Sequence, residues 1–205
     1  MKICELFTSI QGETTFQGLP FTFIRVAGCN LNCKWCDTQY ARGNGKEMKI
    51  DDIINFVKRQ GLKYVMVTGG EPLLQEETYI LCDDLLKMGY TVLVETNGSI
   101  LVDKLKKEII KIVDVKCPSS GEHEKMKFEN FKYLTEKDEI KFVIMNRKDY
   151  EYAKRIIQEF DLWSRKILFS PVHNVMSART LAEWLLEDKL NAKLQIQLHK
   201  YLSIK

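Results

Sequence analysis

Short apolar runs rich in β-branched and aromatic residues alternate along the chain with longer stretches whose apolar positions fall three and four apart, a strand-then-helix rhythm. The runs that read as strands are Pro20 to Val26, Tyr64 to Thr68, Thr91 to Glu95, Ile112 to Lys116, Glu139 to Met145, Lys166 to Phe169 and Lys193 to Leu198. Most are short and lack an alternating polar face, as do strands of a parallel sheet covered on both sides. Asp51 to Gln60, Gln75 to Met88, Asp149 to Phe160 and Ser177 to Glu187 read as amphipathic helices, with Asp51 and Ser177 suited to cap them. A closed eightfold barrel takes about 250 residues, more than this chain holds. The pattern therefore predicts an α/β fold, a partial, open β/α barrel of roughly six parallel strands with reduced helical content.

No Pro/Gly/Ser linker, fixed-period repeat or low-complexity stretch interrupts the 205 residues, which predicts a single domain over 1–205. A content of 45% hydrophobic and 29% charged residues suits a globular domain with a buried core and excludes a disordered or fibrous chain. Lys+Arg 31 against Asp+Glu 28 leaves a net charge of +3 without an arm or tail of one sign, so no nucleic-acid partner is expected. The longest uncharged stretch, Ile167 to Ala178, is too short to cross a membrane, which takes about 18 residues or more. The opening MKICELF has no targeting pattern, and the expected location is cytoplasmic.

In parallel α/β proteins the reactive groups gather at the carboxyl ends of the strands. Here those ends read GCNLNC, TGGEP, ETNG, VKCPSSG, FSPVHN and QLHKY, a concentration of Gly, Cys, Ser, Thr, Asn and His. Three of the six cysteines, Cys29, Cys33 and Cys36, fall in CNLNCKWC, while Cys4, Cys82 and Cys117 lie singly and read as small buried hydrophobes. A closed zinc site wants four ligands, and no second Cys or His pair stands at ligand spacing. Thioredoxin-like exchange by Cys33 and Cys36 would not need a third thiol upstream. Three thiolates on a cluster of four irons leave one iron open to a substrate or cofactor.

CNLNCKWC resembles the CxxxCxxC motif of the radical S-adenosylmethionine (SAM) enzymes, including the aromatic Trp35 before the last Cys. The resemblance implies a 4Fe-4S cluster on Cys29, Cys33 and Cys36, SAM chelated to the open iron, and reductive cleavage of SAM to a 5′-deoxyadenosyl radical. Thr68-Gly69-Gly70-Glu71-Pro72 resembles the family's GGE element, implying that Gly70 and Glu71 meet the SAM amino group while Thr68 faces the substrate. By the same analogy SAM would be held by Trp35, Cys36 and Asp37, by Pro118, Ser119 and Ser120, and by Ser170, Pro171, Val172 and His173. Thr96 and Asn97 stand at a suitable strand end.

Ser9-Ile10-Gln11-Gly12-Glu13, Arg25 in FIRVAGC, Cys36-Asp37-Thr38, the KCPSSG stretch and the closing QLHKY together resemble the 7-carboxy-7-deazaguanine synthase family. That likeness implies a radical ring contraction of 6-carboxy-5,6,7,8-tetrahydropterin to 7-carboxy-7-deazaguanine with loss of ammonia, assisted by Mg²⁺, on the way to queuosine-type nucleosides. Thr38 is the implied Mg²⁺ ligand beside a substrate carboxylate, since that cation takes oxygen donors and keeps waters. Arg25 has the fork to clasp a carboxylate. Ile10, Gln11, Gly12 and Glu13, in an N-terminal loop, would line the pterin edge, with His199 on a strand end and Lys205, through a terminal carboxylate, as further substrate contacts. Thr14 and Thr15 follow Glu13 where the family commonly has Gly. A homodimer and a flavodoxin or ferredoxin reductant are also implied. A glycyl-radical activase is the competing enzyme reading, which the QGE element, Arg25, the CDT triplet and the QLHKY ending oppose, and a metal-storage or redox-sensing module is the non-enzymatic one, which leaves TGGEP and KCPSSG unexplained.

Overall fold

Burial on both faces turns the apolar runs into one nine-stranded sheet in the order β3-β1-β2-β4-β5-β6-β7-β8-β9. The computed structural model describes residues 1–43 and 45–205. Along the chain come β1 (Lys2–Ile10), β2 (Pro20–Val26), β3 (Lys46–Glu47), α1 (Ile50–Gln60), β4 (Tyr64–Gly69), α2 (Glu76–Lys87), β5 (Thr91–Thr96) and β6 (Ile110–Val115). Then follow β7 (Glu139–Ile144), α3 (Arg147–Glu159), β8 (Lys166–Pro171), α4 (Ala178–Glu187), β9 (Lys193–Leu194) and α5 (Leu198–Tyr201). The strands from β2 onward run parallel, and β1 lies antiparallel between β2 and β3. The sheet is open, and the segments between β5 and β6 and between β6 and β7 carry turns and single 3₁₀ turns in place of helices. Among the described residues no helix is long and apolar enough to cross a membrane.

Three local expectations need correction. KICELFTSI is a strand although its side chains are mostly only partly buried; its pairing with β2, not an apolar pattern, makes it one. At the other edge Leu194, Ile196 and Leu198 alternate like a strand, yet only Lys193–Leu194 pair with β8, Ile196 is exposed and Leu198 opens α5. The residue capping α1 is Lys49, so Asp51 lies in the first turn, where its charge favours the helix dipole. Ser177 does cap α4, accepting from the Thr180 N–H, and Asn146 caps α3 through the Asp149 N–H. Cys82 and Cys117 are buried, whereas Cys4 is partly exposed.

Two apolar clusters result. The larger fills the space between the sheet and its helices, from Ile53, Val57 and Leu81 to Ile156 and Leu181. The smaller lies inside the curve of the sheet and consists of Phe21, Phe23, Met66, Leu93, Ile110 and Ile112, with Phe7, Phe16 and Tyr64 against it. Because strand side chains alternate between faces, the same inward rows continue upward as Arg25, Thr68, Glu95, Asp114 and Lys141. Registers Arg25↔Thr68 and Asp114↔Lys141 set them side by side. The interior is thus apolar at the amino ends of the strands and charged at their carboxyl ends.

The gap between the first and last strands is spanned by residues 11–15. The Thr14 carbonyl accepts from Gln195 Nε2 at 2.9 Å, the Gly12 carbonyl from the Leu198 N–H at 2.9 Å, and Thr15 donates to the buried Glu139 carboxylate. Thr14 is buried with φ 67°, a left-handed backbone that costs a side-chain-bearing residue about 1–2 kcal/mol. That is the physical reason a glycine suits the position after QGE. The Thr14 hydroxyl offsets part of the cost by accepting from the Phe16 N–H at 3.0 Å.

After β5, the turn that carries Asn97 is held by buried Asn130, whose Oδ1 accepts from the Val102 N–H while Nδ2 donates to the Gly98 and Ile100 carbonyls. Asn130→Ala leaves the Val102 N–H and the Ile100 carbonyl without their partner, while the Gly98 carbonyl keeps the Lys127 N–H. Urea unfolding of the metal-free protein is expected to show a loss of about 3 kcal/mol; a negligible change would contradict this account of the turn.

Candidate active site

The loop following β2 carries the three thiols and is tied down from several directions. Gly28 donates to the Ala41 carbonyl at 2.8 Å, Lys34 to the Ser120 carbonyl at 3.1 Å, and the Asn32 N–H to Glu122 Oε1 at 3.0 Å. Arg42 reaches Asn32 Oδ1 and the Cys33 carbonyl. Cys29, Cys33 and Cys36 are free, partly exposed and line one cleft of about 650 Å³. Burial pushes the Cys33 thiol up, opposed by the Lys116 charge. Among the described residues no three His, Cys, Asp or Glu side chains converge as around a single metal ion. In a polynuclear cluster each thiolate takes a different iron, so separated thiols on one wall fit such a cluster.

Beside this loop the turn after β4 packs backbone on backbone. A Cβ on Gly70 would sit 1.9 Å from the Gly28 carbonyl oxygen, and one on Gly69, with φ 136°, would sit 2.3 Å from the Val26 carbonyl oxygen. The Glu71 N–H donates to the Gly28 carbonyl at 2.8 Å. The Glu71 side chain does not share the cleft with Gly70. It is fully buried, and its carboxylate accepts from Leu73 N at 3.0 Å, Thr96 Oγ1 at 2.9 Å and Asn97 N at 2.7 Å. Burial raises its pKa. Glu71 therefore bolts the Gly-Gly turn to the end of β5, and the face offered to a ligand is the backbone of Gly69 and Gly70, with Thr96 and Asn97 beside it.

Of the other residues expected to meet SAM, Trp35, Cys36, Asp37, Ser170, Pro171, Val172 and His173 line the cleft, and Pro118, Ser119 and Ser120 do not. The Ser120 hydroxyl donates to the Cys117 carbonyl at 2.6 Å, and Ser119 is engaged by Asp149 and Asn146. Their backbone supports the thiol loop through Lys34 instead. Thr38 lines the cleft with its hydroxyl 3.7 Å from Cys36 Sγ.

All the residues expected on the substrate side, Ile10, Gln11, Gly12, Glu13, Arg25, Thr68, His199 and Lys205, line this same cleft. Arg25 Nε donates to Glu5 Oε1 at 2.8 Å, and Glu5 also accepts from Tyr40 Oη at 2.9 Å and Lys205 Nζ at 2.7 Å. Burial alone would raise the Glu5 pKa; these donors hold it below the usual value. The Lys205 side chain is thus engaged with Glu5. His199 lies on α5 rather than at a strand end, and packs so close to Gly12 that a Cβ there would be 1.9 Å from His199 Nδ1. Burial lowers the His199 pKa, favouring the neutral ring. Gln11 Nε2 is a buried donor with no hydrogen-bond partner among the described residues.

Sequence reasoning missed the floor. Lys141 Nζ is 2.8 Å from Glu13 Oε2 and 3.4 Å from Asp114 Oδ2 and also bonds Glu95, while Lys116 Nζ lies 2.8 Å from Asp114. Gln197 Nε2 holds the other Glu13 oxygen at 2.6 Å, and Thr68 Oγ1 donates to Glu95 at 3.3 Å. The available signal was charge inside strand patterns, the Lys in EIKFVI and the Asp in IKIVDV, which have no place on an apolar face.

Residues 23–160 match the model of the radical SAM superfamily. The chain is 40% identical over 98% of its length to a 7-carboxy-7-deazaguanine synthase of Koribacter versatilis, covering 96% of that protein. It is 41% identical over 98% of its length to one of Chlorobaculum tepidum, covering 94%. The crystal structure of QueE from Escherichia coli superposes with a TM-score of 0.82 at 26% identity, over 97% of this chain and 94% of that one.

Gly70→Ala drives a methyl into the Gly28 carbonyl, whereas a Cβ on Gly43 meets nothing within 4 Å. Iron bound after anaerobic reconstitution is expected to fall severalfold in Gly70→Ala and to stay at the parent level in Gly43→Ala. Equal iron in both would refute the backbone contact as the support of the thiol loop.

Proposed function

The chain belongs to the radical SAM superfamily and, within it, to the 7-carboxy-7-deazaguanine synthase family, and on that premise we propose that it converts 6-carboxy-5,6,7,8-tetrahydropterin to 7-carboxy-7-deazaguanine with loss of ammonia, on the route to queuosine and related 7-deazapurines. The observation that carries the reading is one cleft that holds three free thiols, an arginine fork and an acidic floor together. Cys29, Cys33 and Cys36 hold a 4Fe-4S cluster, and the Gly69–Gly70 backbone, Trp35, Asp37 and the Ser170 to His173 turn hold SAM. When bound, these groups supply one-electron cleavage of SAM and hence hydrogen-atom abstraction from C6 of the pterin.

The protein's own groups then bind and orient. Glu5 occupies Arg25 Nε, which leaves the two terminal nitrogens of the guanidinium as a fork for the substrate carboxylate. Glu13 and Glu95 accept from the N–H groups of the pyrimidine edge, and the unpaired Gln11 Nε2 donates to a ring acceptor. Gly12 allows His199 to close over that edge. Thr38 offers its hydroxyl to Mg²⁺, with the substrate carboxylate and water completing a hard oxygen shell. A glycyl-radical activase would have no use for this buried arrangement of Arg25 and carboxylates.

The exposed apolar residues Leu186, Tyr201 and Leu202 support a homodimer. A flavodoxin or ferredoxin is the reductant class suited to a low-potential cluster. The free, clustered thiols support a cytoplasmic location, where such groups stay reduced.

Anaerobic turnover of the reconstituted holoenzyme with SAM, a low-potential reductant, Mg²⁺ and the carboxytetrahydropterin, followed by mass spectrometry, is expected to yield 7-carboxy-7-deazaguanine. Cys29→Ala removes both iron and product. Thr38→Ala keeps the iron and raises the Mg²⁺ requirement about tenfold. An unchanged Mg²⁺ response would reject Thr38 as a ligand, and SAM cleavage without any deazapurine would reject the substrate.

A further inference from the structure

We propose that Lys141 is a positioning residue for the pterin: its ammonium, set beneath Glu13 and Glu95 on the floor of the cleft, holds both carboxylates aimed at the substrate's N–H edge. The proposal rests on the pterin reading above and adds the group that makes the acceptors competent.

The geometry separates this role from two others. Lys141 Nζ hydrogen-bonds Glu13 and Glu95 and lies 3.4 Å from Asp114 in an ion pair, so its charged neighbours are all carboxylates. Surrounded by carboxylates, the group is also a poor acid: burial would lower its pKa, but Glu13, Glu95 and Asp114 hold it well above the ordinary lysine value. Proton transfer from Lys141 is therefore excluded, and direct binding is disfavoured.

Exposure orders the layer. The side chains of Glu95, Glu13 and Asp114 are 23%, 16% and 10% exposed, while Lys141 is 6% exposed. A ligand entering the cleft meets carboxylate oxygens first, with the cation underneath. With Lys116 also on Asp114, the five charges leave one net negative charge, suited to the N3–H and 2-amino donors of the pterin edge. Without Lys141, Glu13 would face Glu95 and Asp114 with only Lys116 nearby, and like charges in a partly buried site favour its protonation. A protonated Glu13 becomes a donor and opposes the N–H edge.

The other titratable groups facing this floor are His199 from α5, whose ring feels the Glu13 charge, and Asp37 from the thiol loop, which Lys200 pairs at 2.6 Å. Burial would raise the Glu13 and Asp114 pKa values, yet Lys141, joined by Gln197 on Glu13 and by Lys116 on Asp114, holds both below the usual carboxylate range. The acid limb of pterin binding therefore lies low in the parent protein, and removing the cation moves it upward.

The test is the affinity of the SAM- and Mg²⁺-loaded holoenzyme for 6-carboxypterin, a stable fluorescent analogue, from mildly acidic to mildly alkaline pH, alongside bound iron and SAM affinity. Lys141→Met is expected to weaken 6-carboxypterin about tenfold near neutrality and to raise the acid limb by about one pH unit or more, with iron and SAM affinity unchanged. Lys141→Arg restores both affinity and profile. Should Lys141→Met fail to fold, Lys141→Gln removes the charge while still donating to Glu13 and carries the same comparison. Parent-like affinity and profile in the uncharged variant, or a parallel fall of iron, SAM and pterin binding, overturns the positioning role. Failure of the parent protein itself to bind 6-carboxypterin overturns the pterin reading, and this inference with it.

Discussion

An open parallel sheet must cover the gap between its first and last strands without leaving backbone groups unpaired, and here the Gln11 to Thr15 segment does so. It reaches from the end of β1 to Gln195, Leu198 and Glu139, and on the way delivers Glu13 to Lys141. The same few residues therefore close the fold and furnish one wall of the cleft. A residue inserted or reversed here would cost the bridge and the acceptor together. The left-handed Thr14 is tolerated because its neighbours on both sides are fixed by these bonds.

The second organising contact is of another kind. Gly69 and Gly70 lie against the backbone of Val26 and Gly28 at distances no Cβ permits, and Glu71 locks them to Thr96 and Asn97. Asn97 Nδ2 in turn lies 3.7 Å from Cys29 Sγ and 3.1 Å from Asn30 Oδ1. The ends of β2, β4 and β5 thus form one rigid shelf on which the thiol loop rests. Rigidity there serves chemistry in which a reactive centre must meet one hydrogen atom of a bound substrate.

Much of this was legible from the residues alone, and the exceptions have physical causes. Strands covered on both faces, such as Tyr64 to Thr68 and Thr91 to Glu95, announce themselves by composition, and the spacing of Cys29, Cys33 and Cys36 by arithmetic. β1 did not, because an antiparallel strand with half-exposed side chains looks like loop. The inside position of Glu71 was hidden because a motif names a residue without saying which way it points. The ionic floor was hidden because Glu13, Glu95, Asp114 and Lys141 lie far apart in sequence, and only the register Asp114↔Lys141 and the bridging loop bring them together.

We propose that the charged upper layer of the sheet interior orients a carboxylated pterin, with its carboxylate toward Arg25 and its amino-bearing edge toward Glu13 and Glu95. A crystal structure of the holoenzyme with SAM and the carboxytetrahydropterin measures this directly. The carboxylate is expected within hydrogen-bond distance of the free nitrogens of Arg25 and the pyrimidine N–H groups on Glu13 and Glu95, with Lys141 still beneath them. A pterin bound with its edges reversed, or one that leaves Glu13 and Glu95 bonded only to Lys141, would contradict it.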